Sequence, residues 1–379
     1  MHLTKRTRIR TANLLLWALI AAYALFFSLV TLQKHAAYQT TAFDLGNMDQ
    51  AVWGTLHGRL LPYTNWDTEG TRLGYHVDPI LMLLSPFYLL HAGAEMLLIL
   101  QSLILALGAW PVYALSRRVF SRAIAGEAAA SNTGRAVELP ALAFAASYLL
   151  FPALEAANMF DFHPTALVAP LLAFAFYFVE SRRHRALFAT ALLIMACKED
   201  MTLVVIALGA YTILRAFWNA RSDPFVPRRA GVVAGLALIL AGGLWFLTAV
   251  YGVIPHFNVA GKSPYLGGYV AVGGSPAGIL RTLFTDPAKI AAVVLTPEKL
   301  TYLRNLFTPV LFTSLFAPLT LLPMLPTLAL NLLSHNVTLY TLEKYHYAAP
   351  LVPSVVISAA YGSAFLVRFV IKRWPRVTA

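Results

Sequence analysis

Clusters of polar residues interrupt an otherwise apolar chain, and their residue types suit particular chemistry. Phe43-Asp44-Leu45-Gly46 followed by Asp49 sets two carboxylates five positions apart. A carboxylate so placed serves as a general base or a metal ligand; Asp44 is the first choice for the base and Asp49 the second. In Gly74-Tyr75-His76-Val77-Asp78-Pro79, His76 suits a divalent metal or a phosphate oxygen. Asp161 lies two residues before His163, a spacing that fits joint metal binding or an acid orienting an imidazole. Lys198-Glu199-Asp200 puts three consecutive charges in an apolar hairpin, with Lys198 suited to phosphate as a point charge and Glu199 or Asp200 suited to a metal. Tyr345-His346-Tyr347 adds another imidazole, and Arg72, Arg281 and Lys262 are further cations for a phosphate.

Each cluster also has a plain structural reading. Asp44 would open a short helix, and capping that helix is an ordinary duty for Asp. Asp78 would begin a turn closed by Pro79, and Asp161 would cap a helix that has Pro164 in its first turn. Lys198-Glu199-Asp200 would be a solvated turn. His346 would be incidental among aromatic residues, and Trp53, Tyr63 and Trp66 would pack in a headgroup zone.

The elements that must position these clusters are membrane spans. Of the 379 residues, 59% are hydrophobic and 12% charged, against about 25% charged in soluble domains. Repeated apolar runs of about 20 residues predict a polytopic all-α membrane protein, because a helix satisfies its own backbone in lipid. The runs lack the alternation of barrel strands. The formal charge of +12 is confined to short loops and tails such as Arg117-Arg118, Arg182-Arg183-His184-Arg185 and Arg228-Arg229. That is a positive-inside pattern and excludes a nucleic-acid stripe. The single Cys197 excludes an intramolecular disulfide.

The charge bias predicts one integral membrane domain over 1–379, with both termini cytoplasmic. Residues 11–32 form a retained first span and 33–77 a first outer loop. A membrane core runs over 78–251, with a short apolar piece at 78–90, spans at 94–116, 137–152 and 165–180, a short hairpin at 186–197 and 201–218, and a span at 230–251. The inner loop before 137 carries Gly, Ser and Asn. A second outer loop spans 252–304, and 305–379 holds a Pro-broken stretch at 305–334 and a last span at 347–370. This arrangement puts 19 Lys and Arg inside and 10 outside, and it places every chemical cluster, with His256, on the outer side. Ionisable groups at membrane depth default to function. No G-x-x-x-x-G-K-[ST], H-E-x-x-H or G-x-S-x-G motif occurs, and no inverted repeat points to a secondary transporter.

Taken together and in order, these motifs carry a family resemblance. Phe43-Asp44-Leu45-Gly46 with Asp49-Gln50 and Trp53, then Gly74, His76 and Pro79, resembles an uncharacterised bacterial membrane family, domain of unknown function 2079. Tyr148-Leu149-Leu150-Phe151-Pro152, Asn158, Phe160-Asp161-Phe162-His163-Pro164 and Lys198-Glu199-Asp200 are similar to its later signatures, so the likeness covers about 40–350. That family in turn resembles the GT-C glycosyltransferases, whose hallmark is an acidic motif in the first outer loop; here the acids are spread as Asp44-x-x-x-x-Asp49. The resemblance implies a GT-C-like bundle of about 9–11 transmembrane helices with short helices in its outer loops. It implies transfer of a sugar from a polyprenyl-phosphate donor to an envelope glycan, lipid or protein at the outer face of the cytoplasmic membrane. Asp44 would be the base, Lys198, Arg72, His76, His163 and His346 would hold phosphate, and Asp161, His163, Glu199 and Asp200 would hold a divalent ion (Mg, Mn or Ca). Two other classes stay open: a transporter or flippase of lipid-linked substrates, and a non-catalytic membrane scaffold.

Overall fold

The computed structural model describes residues 5–64, 70–124, 133–222, 228–258 and 264–373. It is an all-α polytopic bundle, apart from a two-residue antiparallel ladder pairing Pro62 with Thr71 and Tyr63 with Gly70. Trp66, Lys262 and the Gly, Ser and Asn of the inner loop lie outside the described residues.

Helix α1 (Lys5–Ala36) leads to α2 (Asn47–Leu56). Next come α3 (Ala94–Leu107) and α4 (Ala109–Ile124), which run on as one apolar stretch. Helices α5 (Thr133–Leu149) and α6 (Pro152–Phe160) are separated only by Leu150 and Phe151, where Pro152 removes an N–H and restarts the helix at its first position. Helices α7 (Val168–Glu180), α8 (His184–Cys197), α9 (Met201–Ser222) and α10 (Arg228–Leu247) follow in hairpin order. Two exposed helices, α11 (Pro276–Thr285) and α12 (Pro287–Val294), precede α13 (Leu325–Leu333) and α14 (Val352–Arg373).

Among the described residues, six stretches are long and apolar enough to cross a membrane: Arg10–Ala36, Ala94–Ile124, Ala136–Phe160, Met201–Trp218, Arg228–Phe257 and His346–Arg373. The shorter apolar helical pieces are Ile80–Leu89, Pro164–Glu180, His184–Cys197 and Pro318–Leu333. At 1.5 Å per residue, pieces of this kind cover only part of a hydrocarbon core of about 30 Å. Several boundaries differ from the sequence expectation, and the span expected to end at 116 continues to Ile124. The span expected to end at 152 continues to Phe160, and the one expected to end at 251 continues to Phe257.

The Pro-broken stretch folds back on itself beside α14. The Ser358 hydroxyl lies 2.8 Å from the Ser314 carbonyl and 2.7 Å from that of Ala317, meeting a backbone that no regular helix satisfies. Elsewhere helices approach closely through small residues: a Cβ on Gly209 of α9 would lie 2.6 Å from the Gly235 carbonyl of α10.

One end of the bundle is held by two ion pairs, of which that between Arg215 and Glu180 is the more deeply buried. Glu180 of α7 accepts from Arg215 of α9 at 2.6 and 2.7 Å, and the Glu180 carbonyl accepts from Arg118 of α4 at 2.7 Å. Glu138 of α5 accepts from Arg117 at 2.8 Å and from the Tyr113 hydroxyl at 2.5 Å, both on α4. The opposite end carries the turns after α1, α6 and α8 and the segment before α14, and there the chemical clusters meet.

Candidate functional site

The loop after α1 is built on Thr41. Its hydroxyl accepts from the Asp44 N–H at 3.1 Å, capping the turn Ala42–Gly46 that runs into α2. The expected cap at Asp44 is therefore corrected to Thr41, a residue type equally suited to that duty. The Asp44 carboxylate is left to face the cavity, with Oδ1 3.4 Å from His163 Nε2 and Oδ2 3.2 Å from the Thr41 hydroxyl. Burial works against its charge, but the hydrogen bond and charge of His163, the Thr41 hydroxyl and the field of Arg72 outweigh it. The carboxyl is held below its ordinary range.

Asp161 does not orient His163, contrary to the sequence expectation. Its Oδ2 accepts from the Thr41 N–H at 3.0 Å and lies 3.0 Å from the Thr41 hydroxyl, while Oδ1 lies 3.5 Å from Lys34 Nζ. Lys34 also donates to the carbonyls of Met159 and Phe160, at 2.7 Å each, placing a cation at the negative end of α6. Asp161 thus ties the Asp44 loop to the end of α6. The residue that sets His163 is Gln101 of α3, which is fully buried. Its amide donates to the Asp161 carbonyl at 3.0 Å and lies 3.3 Å from that of Ala157, and its oxygen accepts the His163 N–H at 2.9 Å. The only signal for it in the sequence is an uncharged polar side chain in an apolar run.

The His163 ring stacks on His346, with centroids 3.7 Å apart and planes at 14°. Sequence distance hid this pairing. Nδ1 of each ring is buried without a hydrogen-bond partner.

Between α8 and α9 the three charges divide their work. Lys198 is extended and its Nζ lies 3.4 Å from Asp200 Oδ2. Burial lowers its pKa, yet Asp200 and Glu199 reverse this and keep the ammonium charged. Asp200 itself is raised, because burial outweighs the help of Lys198. Glu199 accepts from His76 Nδ1 and from the Val77 N–H, both at 3.0 Å. Against the cost of burial, the charge and hydrogen bond of His76, with Lys198, bring Glu199 down to about 2.

Two further expected site residues have partners of their own. Arg72 lines the cavity, and its guanidinium grips Asp78 and donates to Asn47 Oδ1 at 3.0 Å. Asp49 turns away from the cavity and accepts from the Tyr88 hydroxyl at 2.6 Å. Burial raises the Asp49 carboxyl, partly opposed by Tyr88.

Asp44, His76, His163, Lys198, Asp200 and His346 line one cavity of about 740 Å³. The four residues expected to hold a divalent ion are not brought together: Asp161 turns to Thr41 and Lys34, and Glu199 to His76. Among the described residues, no group of three or more His, Cys, Asp or Glu side chains is placed to hold a metal. Residues 34–379 match the family described as a predicted membrane protein, domain of unknown function 2079. The chain belongs to that family. The matched region takes in every residue of the cavity named above. No curated protein and no solved structure matches the chain.

Proposed function

We propose that this family member transfers a sugar from a polyprenyl-phosphate donor to an acceptor hydroxyl, with the cavity as its active site. One observation carries the reading: an ionised carboxylate, Asp44, and a half-buried, charged ammonium, Lys198, line the same cavity with two stacked imidazoles. The acceptor oxygen attacks the anomeric carbon, the bond from that carbon to the phosphate oxygen breaks, and the phosphate leaves with the electron pair. Asp44 takes the acceptor proton. Lys198, with His163 and His346, meets the charge that grows on the leaving phosphate, and a buried setting strengthens that contact. The positive-inside pattern supports a cavity at the outer face of a bacterial cytoplasmic membrane, with both termini inside.

The acceptor would be an envelope glycan, lipid or protein. Two features favour transfer over transport. The far end is tied by the Glu180–Arg215 ion pair between α7 and α9 and by the hydrogen bond from Arg118 of α4 to the Glu180 carbonyl, and the groups suited to chemistry converge at the other end. The first experiment is binding of polyprenyl phosphate to the purified protein in nanodiscs, with and without EDTA, together with transfer by the wild type and Asp44→Asn. Saturable, phosphate-dependent binding and a loss of transfer of at least about 100-fold in Asp44→Asn, with binding retained, are expected. Headgroup-independent binding, or near-normal turnover in Asp44→Asn, overturns the reading in favour of a carrier or a scaffold. A loss of binding on chelation would add a divalent ion to the phosphate site.

A further inference from the structure

We infer that residues 276–295 form an arm that lies on the bilayer, seated at the headgroup–acyl boundary of the leaflet on the cavity's side. This inference stands apart from the transfer chemistry. Helices α11 and α12 have no buried residue at all, yet the 20 residues carry only three charges, Arg281, Asp286 and Lys289. Leu280, Leu283 and Phe284 recur at i, i+3 and i+4 along one face of α11, and Phe284 is 82% exposed. Arg281, Thr282 and Thr285 fall on the opposite face. A contiguous apolar face of this kind marks an interaction surface, and an amphipathic helix with sparse cations suits the plane of a membrane interface.

The arm's backbone is prepared for a medium poor in water. Ser275 accepts the Gly278 N–H at 3.0 Å and Asp286 accepts the Lys289 N–H at 3.1 Å, capping both helices. Thr282 and Thr285 return their hydroxyls to the carbonyls of Gly278 and Arg281. Lys299 Nζ donates to the Val293 carbonyl at 2.8 Å near the end of α12.

Continuity selects lipid as the occupant. Helix α12 packs against α13, and the stretch leading into α13 exposes Leu311, Leu315, Phe316 and Leu325 as part of the apolar belt of the bundle. On its other side the arm packs against residues 264–272, whose Gly267, Gly268 and Tyr269 line the cavity. Gly273 joins the two at φ 117°, and a Cβ there would lie 2.5 Å from the Gly278 carbonyl, so the arm folds back where no side chain fits. Arg281 and Lys289 are the groups that would meet lipid phosphates. The arm therefore links a membrane surface to the cavity wall, beside the route a lipid-borne molecule would take.

The test is spin labelling in nanodiscs of phosphatidylethanolamine and phosphatidylglycerol. Cysteines are introduced singly at Leu280, Leu283, Phe284, Arg281 and Thr285. Native Cys197 is buried, so the parent protein is the blank. Power saturation with oxygen and with an aqueous nickel chelate reads each position. Oxygen collisions should exceed nickel collisions several-fold at 280, 283 and 284 and fall below them at 281 and 285. Nickel access at all five positions would place the arm in water, and low access to both reagents throughout would place it against a second copy; either result overturns the proposal.

Discussion

At the scale of single residues, the cavity is a set of charges that fix one another. The contact of Asp44 with His163 at 3.4 Å has a signed consequence, because a carboxylate base works only when ionised. Activity should fall as pH falls through the Asp44 pKa, and replacing His163 with Gln removes a contact that keeps that pKa low. The acid limb of the kcat/KM profile should therefore move to higher pH in His163→Gln; an unmoved limb would mean that this contact does not set the base. Glu199 gives a stability prediction. Its folded pKa of about 2 lies below its unfolded value, so it adds stability that is present above about pH 4.5 and lost as pH falls toward 2. Wild-type Tm should drop across that window by more than that of Glu199→Gln. At neutral pH Glu199→Gln should be less stable by about 1–3 kcal/mol, because Lys198 and His76 lose a buried ionised partner. Which clusters to examine was readable from residue type alone, since charges in an apolar chain stand out. What each member does was not, because Arg72 against Asp78, Asp161 against Thr41 and His163 against His346 are pairings decided by packing.

At the scale of elements, the site is positioned by polar residues that satisfy backbone at the ends of short helices. Lys34 closes the end of α6 and Gln101 holds the turn after it, joining α1 and α3 to the Asp161–His163 turn. Gln101→Leu keeps the volume but leaves two carbonyls and the His163 N–H without their partner. It should cost about 1–3 kcal/mol for each buried group left unsatisfied, seen as a lower Tm in nanodiscs. If Gln101 sets the ring, kcat should fall further than this loss of folded protein explains, while binding of polyprenyl phosphate is kept; a Tm loss with normal specific activity would make Gln101 purely structural. The apolar spans were legible because length and hydropathy are read directly from the chain. The breaks at Pro152 and along 308–324 shifted boundaries because proline restarts or bends a segment according to what lies beside it, and here Ser358 of α14 supplies that neighbour.

At the scale of the whole molecule, the Arg–Glu contacts of α4, α5, α7 and α9 gather at one end and the candidate catalytic side chains line a cavity at the other. The two ends have different physical characters. One is closed by Arg–Glu pairs, where breaking a pair leaves an uncompensated buried charge, and the other is opened by a cavity of about 740 Å³. The positive-inside rule predicts which end faces the cytoplasm, and that prediction is open to a direct test. Glu343 is exposed in the segment before α14, and Arg182 is exposed in the turn between α7 and α8. With Cys197 buried as a silent background, Glu343→Cys should react with an impermeant maleimide on intact cells. Arg182→Cys should react only after the membrane is permeabilised. The reverse pattern would turn the cavity toward the cytoplasm, where a nucleotide-linked sugar rather than a polyprenyl-linked one would be the accessible donor, and the proposed chemistry would have to be rebuilt around that substrate.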